Sequence, residues 1–332
     1  MQHRNALGGA PNSRFIAESL KHPNLELLVA HDLFKSPTAQ YADYILPASH
    51  WLEKPFFTLG TAYMATRGDY AEANYAAMAP DHEHRSDYEL WRDLGRLLGQ
   101  GDYWPEQIEQ LWEQWIEPAG LTFDDLARRH GPWMEAPSQD LHDRPAYGTP
   151  SGRIELKSTL LDEWGIEPTP HHEESKIFRL HKSDYPLVLT TGGRLIEGFH
   201  QNAPQASAFR RKFPDPIVQI HPHTAAKLGV REGEWVAIET PVGRVNQRAH
   251  LTDILHERVI HAERWWYPER NGSEPDVFGV FDTNINFCTD DDLDGCDPVM
   301  GAWPLRAVPA RLTRISESVQ PEEAAPTTSH AS

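Results

Sequence analysis

The apolar positions Phe15, Ile16 and Leu20 fall, together with Ser19, on one stripe at helical spacing. This predicts a helix over 13–22, entered from the turn Gly8-Gly9-Ala10-Pro11-Asn12. Short apolar runs predict a buried strand at 25–30 and another at 44–46. A glycine-rich turn of this kind normally follows a strand in a parallel sheet, where open N–H groups and a helix N-terminus receive an anion. Only seven residues precede this one. The sequence therefore reads as though its earlier strands were missing.

Helical spacing returns at 86–98 through Leu90, Trp91, Leu94, Leu97 and Leu98, and at 105–115 through Ile108, Leu111, Trp112 and Trp115. A third helix is expected at 122–130. Both stripes read as core, because any docked helix shows such spacing. The stretch Thr149-Pro150-Ser151-Gly152-Arg153-Ile154-Glu155-Leu156 has the chemistry of turns before a short strand. From Pro186 onward the pattern changes to short strands, at 187–190, 217–220, 235–239, 243–249 and 259–262, with one helix at 223–228 stopped by Gly229. Several short strands with one helix predict a small β-barrel. The tail 317–332, rich in Pro, Glu, Ala, Thr and Ser, is expected to be disordered.

Composition narrows the function. The 332 residues suit two domains. With 49 acidic against 31 basic residues the net charge is -18, which repels phosphate backbones and anionic membranes and argues against nucleic acid as a partner. No apolar run is long enough to span a bilayer, and residues 1–7 show neither a secretory signal nor a twin arginine, so the chain as written is expected in the cytoplasm. A periplasmic location would need a twin-arginine signal upstream. Two cysteines, Cys288 and Cys296, cannot by themselves hold an iron–sulfur cluster or a structural zinc.

Most local motifs resolve toward structure. No P-loop, nucleophile elbow, zinc-protease helix or G-x-G-x-x-G stands in the chain. Asp290-Asp291-Asp292-Leu293-Asp294-Gly295 matches the first half of a calcium loop, but position nine is Pro298 and position twelve is Gly301 where a bidentate Glu is required. It reads as a solvated acidic loop. His82-Glu83-His84, His171-His172 and His221-Pro222-His223 are not at zinc spacing, since i, i+2 histidines on a loop point apart. Thr190-Thr191-Gly192-Gly193-Arg194 is more informative: it closes a strand with two hydroxyls, two glycines and a guanidinium, a set suited to an anionic or hydrogen-bonding heterocycle.

These motifs stand in an order that resembles the C-terminal half of molybdenum or tungsten enzymes of the dimethyl sulfoxide reductase superfamily. Leu7-Gly8-Gly9-Ala10-Pro11-Asn12 resembles the family's dinucleotide turn, with Ala10 in place of its Asn. His31 to Ala39, Ala42 to Ala48 and Trp51 to Lys54 resemble its next segments, and Thr149 to Glu155 its linker. Thr190 to Arg194, His221-Pro222, Ala225 to Val230, Gly233 to Val236 and Asn284-Ile285-Asn286 resemble its dinucleotide-binding barrel. His261 to Glu269 and the 284–292 loop look most like the branch with thiosulfate or polysulfide reductase-like enzymes, acetylene hydratase and transhydroxylases.

The resemblance implies an α/β fragment, the end of a Rossmann-like domain with a helical insert, followed by a six-stranded double-psi β-barrel. The blocks would be 1–150 for the partial α/β domain, 151–183 for a linker, 184–316 for the barrel and 317–332 for the tail. It implies molybdopterin guanine dinucleotide as cofactor, gripped by Gly8, Gly9, Pro11, Asn12, Asp32 and Thr38 on one side and by Thr191, Gly193, Arg194, His200 and Asn284 on the other. Trp265 and Trp266 read as core in preference to substrate lining. The family's four-iron, four-sulfur domain and its protein ligand to the metal have no counterpart here. The resemblance thus implies a partner carrying the missing N-terminal catalytic half, an iron–sulfur electron-transfer subunit and a small-molecule substrate, with no catalytic residue and no metal ligand in this chain. A non-redox hydratase or transhydroxylase with the same cofactor, or an inactive remnant, are the alternatives.

Overall fold

The chain opens with a one-turn helix, α1 (Ala6–Gly9), and a second, α2 (Ser13–Leu20). Asn12 sits between them in the left-handed region at φ 46° and caps α2 by accepting from Phe15 N. Two paired strands follow, β1 (Val29–Asp32) and β2 (Tyr44–Pro47). The buried strand expected at 25–30 is displaced, because Leu25 closes a turn onto His22 O and leaves Leu25 and Leu27 exposed. Burial begins only at Leu28, Ala30 and His31. The computed structural model describes residues 2, 4–60, 70–134, 147–169, 171–192 and 204–315, so the tail expected at 317–332 lies outside it.

Residues Pro47–His172 form one of two compact units. Its centre is a three-stranded antiparallel sheet, β3 (Phe56–Gly60), β4 (Tyr70–Asn74) and β5 (Trp133–Met134), so the expected helical insert carries a sheet as well. The strands escape a hydrophobic scan because β4 buries only two alanines, Ala71 and Ala73. They pack on α4 (Ile108–Ile116) and α5 (Phe123–Ala127), where Trp112 stacks between Phe57 and Phe123. The stripe expected on α3 (Asp87–Leu97) does not become core. Trp91, Leu94, Leu97 and Leu98 are exposed, while Tyr88 and Gly95 are buried, since α3 docks by laying Gly95 against the Trp104 ring. The 151–183 linker contains two unpredicted short helices, α6 (Thr159–Glu163) and α7 (Lys176–His181), each entered through a serine cap.

Residues up to Leu46 and from Glu173 onward form the other unit, a division that differs from the expected blocks. Six strands close its barrel: β6 (Leu187–Thr191), β7 (Ile217–Ile220), β8 (Trp235–Glu239), β9 (Arg244–Leu251), β10 (Val259–Ala262) and β11 (Val308–Arg314), in the order β10-β6-β11-β8-β9-β7. Two of the pairs, β6 with β10 and β7 with β9, are parallel. Helices α8 (Ser207–Lys212), α9 (Pro222–Leu228) and α10 (Val280–Thr283) lie in the connections, and Gly229 ends α9 at φ 67°. Leu189, Val218, Ile220, Val236, Ile238 and Ile260 fill the interior. Leu7 and Ala17 belong to that same core, which is why the N-terminal helices travel with the barrel.

Candidate functional site

The N-terminal turn is anchored to the barrel side by buried amides. Asn284 and Asn286, both almost inaccessible, donate through Nδ2 to Gly8 O at 3.0 and 3.1 Å. Asn12 N donates to Thr289 O at 3.1 Å, and Asn12 Nδ2 to Asp291 Oδ1 at 2.7 Å. On the other flank, Thr38 Oγ1 accepts from Leu7 N at 2.9 Å and donates to Asn5 Oδ1 at 2.7 Å. Segments more than 270 residues apart are thereby held in one arrangement, and a buried, fully paired network of this kind specifies a single geometry.

The expectation of open N–H groups along the Gly8–Asn12 turn is corrected by this bonding. The N–H of Gly8 goes to Asn5, that of Ala10 to Ala6 O and that of Asn12 to Thr289 O, while Pro11 has none. The N–H groups of Ser13 and Arg14, the first residues of α2, precede the helix's own hydrogen-bond ladder; Ser13 is buried and Arg14 exposed. Gly9 keeps the approach clear: it is exposed, and a Cβ there would meet nothing within 4 Å. Asp32, half-buried at the end of β1, accepts from Leu33 N at 2.8 Å.

A second group of polar atoms gathers where the parallel strands β6 and β10 leave the barrel at the same end, with Thr191 beside Ala262. Thr191 Oγ1 donates to Leu305 O at 2.8 Å, and Gly192 follows at φ 74°. Gly193, Arg194 and His200 lie outside the described residues. Past β10, Trp265 and Trp266 are buried as expected for core, yet among the described residues the Nε1 of each has no hydrogen-bond partner, and neither has His261 Nε2. Burial, then the Arg306 charge, holds the His261 imidazole below its ordinary pKa. Burial pushes the Glu263 carboxyl up to about 7. Its backbone is fixed by Gln247, which accepts from Glu263 N at 3.2 Å and donates to Glu263 O at 2.6 Å.

The sequence-predicted residues thus divide by task. Asn284, Asn12, Thr38 and Thr191 spend their side chains on the protein itself and position the turn and the strand end. Gly9 and Gly192 keep backbone approachable. The buried atoms of His261, Trp265 and Trp266 left without a partner among the described residues are further candidates that spacing alone did not mark, because a lone polar atom in a buried ring has no sequence signal. A cavity of about 340 Å³ in the same unit is lined by apolar residues such as Ile177, Leu180 and Val242, with Asp290, Asp292 and Trp303 beside them. The acidic run is structural: Asp292 caps a turn through Asp294 N, Asp294 pairs with Lys176 at 2.7 Å and Asp291 takes the Asn12 amide.

Comparison with known proteins bears on what this arrangement holds. Residues 8–97 match the molybdopterin oxidoreductase family and residues 187–303 the molydopterin dinucleotide binding domain. Acetylene hydratase of Syntrophotalea acetylenica is 29% identical over 311 residues, which is 91% of this chain and 42% of that protein. Dopamine dehydroxylase of Eggerthella lenta is 27% identical, with 74% of this chain and 32% of that protein covered. The solved structure of acetylene hydratase from Pelobacter acetylenicus superposes with a TM-score of 0.83 at 28% identity, covering 94% of this chain and 43% of that one. The chain spans less than half the length of these relatives. Both family models in sequence order, together with a shared fold over nearly the whole chain, fit the dimethyl sulfoxide reductase superfamily of molybdopterin oxidoreductases and the branch that includes acetylene hydratase.

Proposed function

We propose that this chain is the cofactor-gripping portion of a molybdopterin guanine dinucleotide enzyme that acts on a small molecule. The observation that carries the reading is the buried Asn284–Asn286 clamp on Gly8 O, which joins the two family-matched regions into one surface. The residues fit the group. Unpaired buried atoms on His261, Trp265 and Trp266 suit a pterin edge rich in donors and acceptors, and the α2 N-terminus below an open Gly9 suits a pyrophosphate. In this reading β1 and β2 are the end of a Rossmann-like domain, and the two parallel pairs in a closed six-stranded barrel support the double-psi form.

Gly8, Gly9, Pro11, Asn12, Asp32 and Thr38 would form or position one grip, and Thr191, Gly193, Arg194, His200 and Asn284 the other. When bound, the cofactor supplies a molybdenum or tungsten centre for two-electron or oxygen-atom transfer. This chain's part is to bind and orient. At an overall charge of -18 it holds phosphates through N–H groups and a few placed arginines, not through a basic field. Burial keeps His261 neutral near pH 7 and Glu263 half-protonated there, so neither presents a full charge to a neutral heterocycle. No catalytic residue is assigned.

The likeness to acetylene hydratase over 94% of the chain favours a second reading, hydration in place of redox chemistry with the same cofactor. In either case a Cys-rich catalytic half, and in the redox case an iron–sulfur subunit, would complete the enzyme. Co-purification tests this. The tagged chain should retain a Cys-rich polypeptide together with molybdenum or tungsten and pterin, and an assembled complex lacking both metal and pterin sinks the proposal. Assays of that complex with acetylene and with reducible substrates separate the two readings.

A further inference from the structure

At the N-terminus of α9, three ligating side chains converge. We propose that His221, His223 and Glu257 form a site for a zinc-class divalent cation that staples α9 to the β9–β10 turn. Their ligand atoms all lie within 4.8 Å of one another. The spacing His-Pro-His had suggested rings pointing apart, and the structure corrects that. His221 is the N-cap of α9 and its Nδ1 accepts from His223 N at 3.2 Å, which draws the rings to 5.0 Å between centroids.

Glu257 arrives from the other side of the chain. Thr224 Oγ1 donates to Glu257 O at 2.5 Å and fixes the turn against the first residues of α9. Glu257 Oε1 lies 2.9 Å from His223 Nδ1, and Oε2 is 3.2 Å from Lys227 Nζ. Ligand atoms on a tetrahedral zinc sit about 3.3 Å apart when bond lengths are near 2.0–2.1 Å. Reaching that from a spread of up to 4.8 Å needs small side-chain rotations at the site, where His223 is exposed.

Two imidazoles and one carboxylate are a set that zinc, nickel and copper accept, with the remaining positions left to water. The metal would replace the weak 3.2 Å cap bond and the His223–Glu257 hydrogen bond with stronger contacts to the same atoms. Lys227 works against it. Its ammonium shares the Glu257 carboxylate and repels a dication a few ångströms away.

That opposition supplies the decisive variant. Zinc chloride titrated into the metal-free full chain, followed by calorimetry and by thermal unfolding, should show one saturable site and a raised unfolding temperature. His223→Ala and Glu257→Gln should each weaken binding at least about tenfold, as loss of a metal contact does. Lys227→Met should tighten it by about threefold to tenfold, a change a scattered set of surface histidines would not produce. Wild-type affinity in His223→Ala, several equivalent weak sites, or unchanged affinity in Lys227→Met overturns the assignment.

Discussion

Replacing Glu263 by Gln should flatten the pH dependence of this protein's stability. The carboxyl is half-buried past β10 and burial, opposed only by the Arg264 charge, raises its pKa from 4.5 to about 7. A raised carboxyl pKa means that the folded chain keeps a proton the unfolded chain releases. The contribution to stability is therefore complete below about pH 4.5 and is lost as pH rises through about 7. A shift of about 2.5 units at 1.36 kcal/mol each is ~3 kcal/mol, of which part is already gone at about pH 5. Between about pH 5 and about pH 8 the wild type should lose ~2–3 kcal/mol that Glu263→Gln does not. Urea unfolding of both proteins at the two pH values measures the difference directly, because every other titrating group is common to them. Parallel pH profiles would refute the reasoning, as would a variant that is the more pH-sensitive of the two.

Other outcomes follow from the same structure. Asn284→Ala should destabilise the barrel unit by ~2–3 kcal/mol in chemical denaturation, since Asn286 N loses its partner and the site is fully buried; Gly8 O keeps its bond from Asn286. Gly95→Ala should destabilise the 47–172 unit by ~1–3 kcal/mol, because a Cβ there would stand 2.3 Å from Trp104 Nε1 and force the ring away; intrinsic fluorescence reports both the shift and the unfolding. Alkylation of the native chain followed by mass spectrometry should label Cys296 and spare Cys288, which is fully buried and whose thiol is pushed up to about 12 by that burial.

How much of this was legible in the sequence depended on where each residue's partner lies. β7, β8 and β10 were readable with their bounds because their own apolar patterns fill the barrel. β11 was not, since Pro309 and the arginines at 311 and 314 mask its alternation, although Ala310 and Leu312 point to the core. The α3 stripe misled because helical spacing marks an apolar face without saying that a neighbour covers it; here a glycine and a tryptophan make the contact. At the candidate site, the order of motifs pointed to two segments that the fold joins through Gly8 and Asn284. Their division of labour was hidden, because Asn284 commits its amide to a carbonyl 276 residues away and no local pattern records that.

That the N-terminal turn and the barrel end together grip a guanine dinucleotide cofactor is the proposal on which the rest depends. It is tested most directly by acid hydrolysis of the chain purified in complex with its catalytic half, followed by chromatography for GMP and metal analysis of the same sample. Guanine nucleotide in stoichiometric amount alongside molybdenum or tungsten, with the nucleotide content reduced in Asn284→Ala, is the predicted result. An intact, folded complex that releases no guanine nucleotide would contradict it.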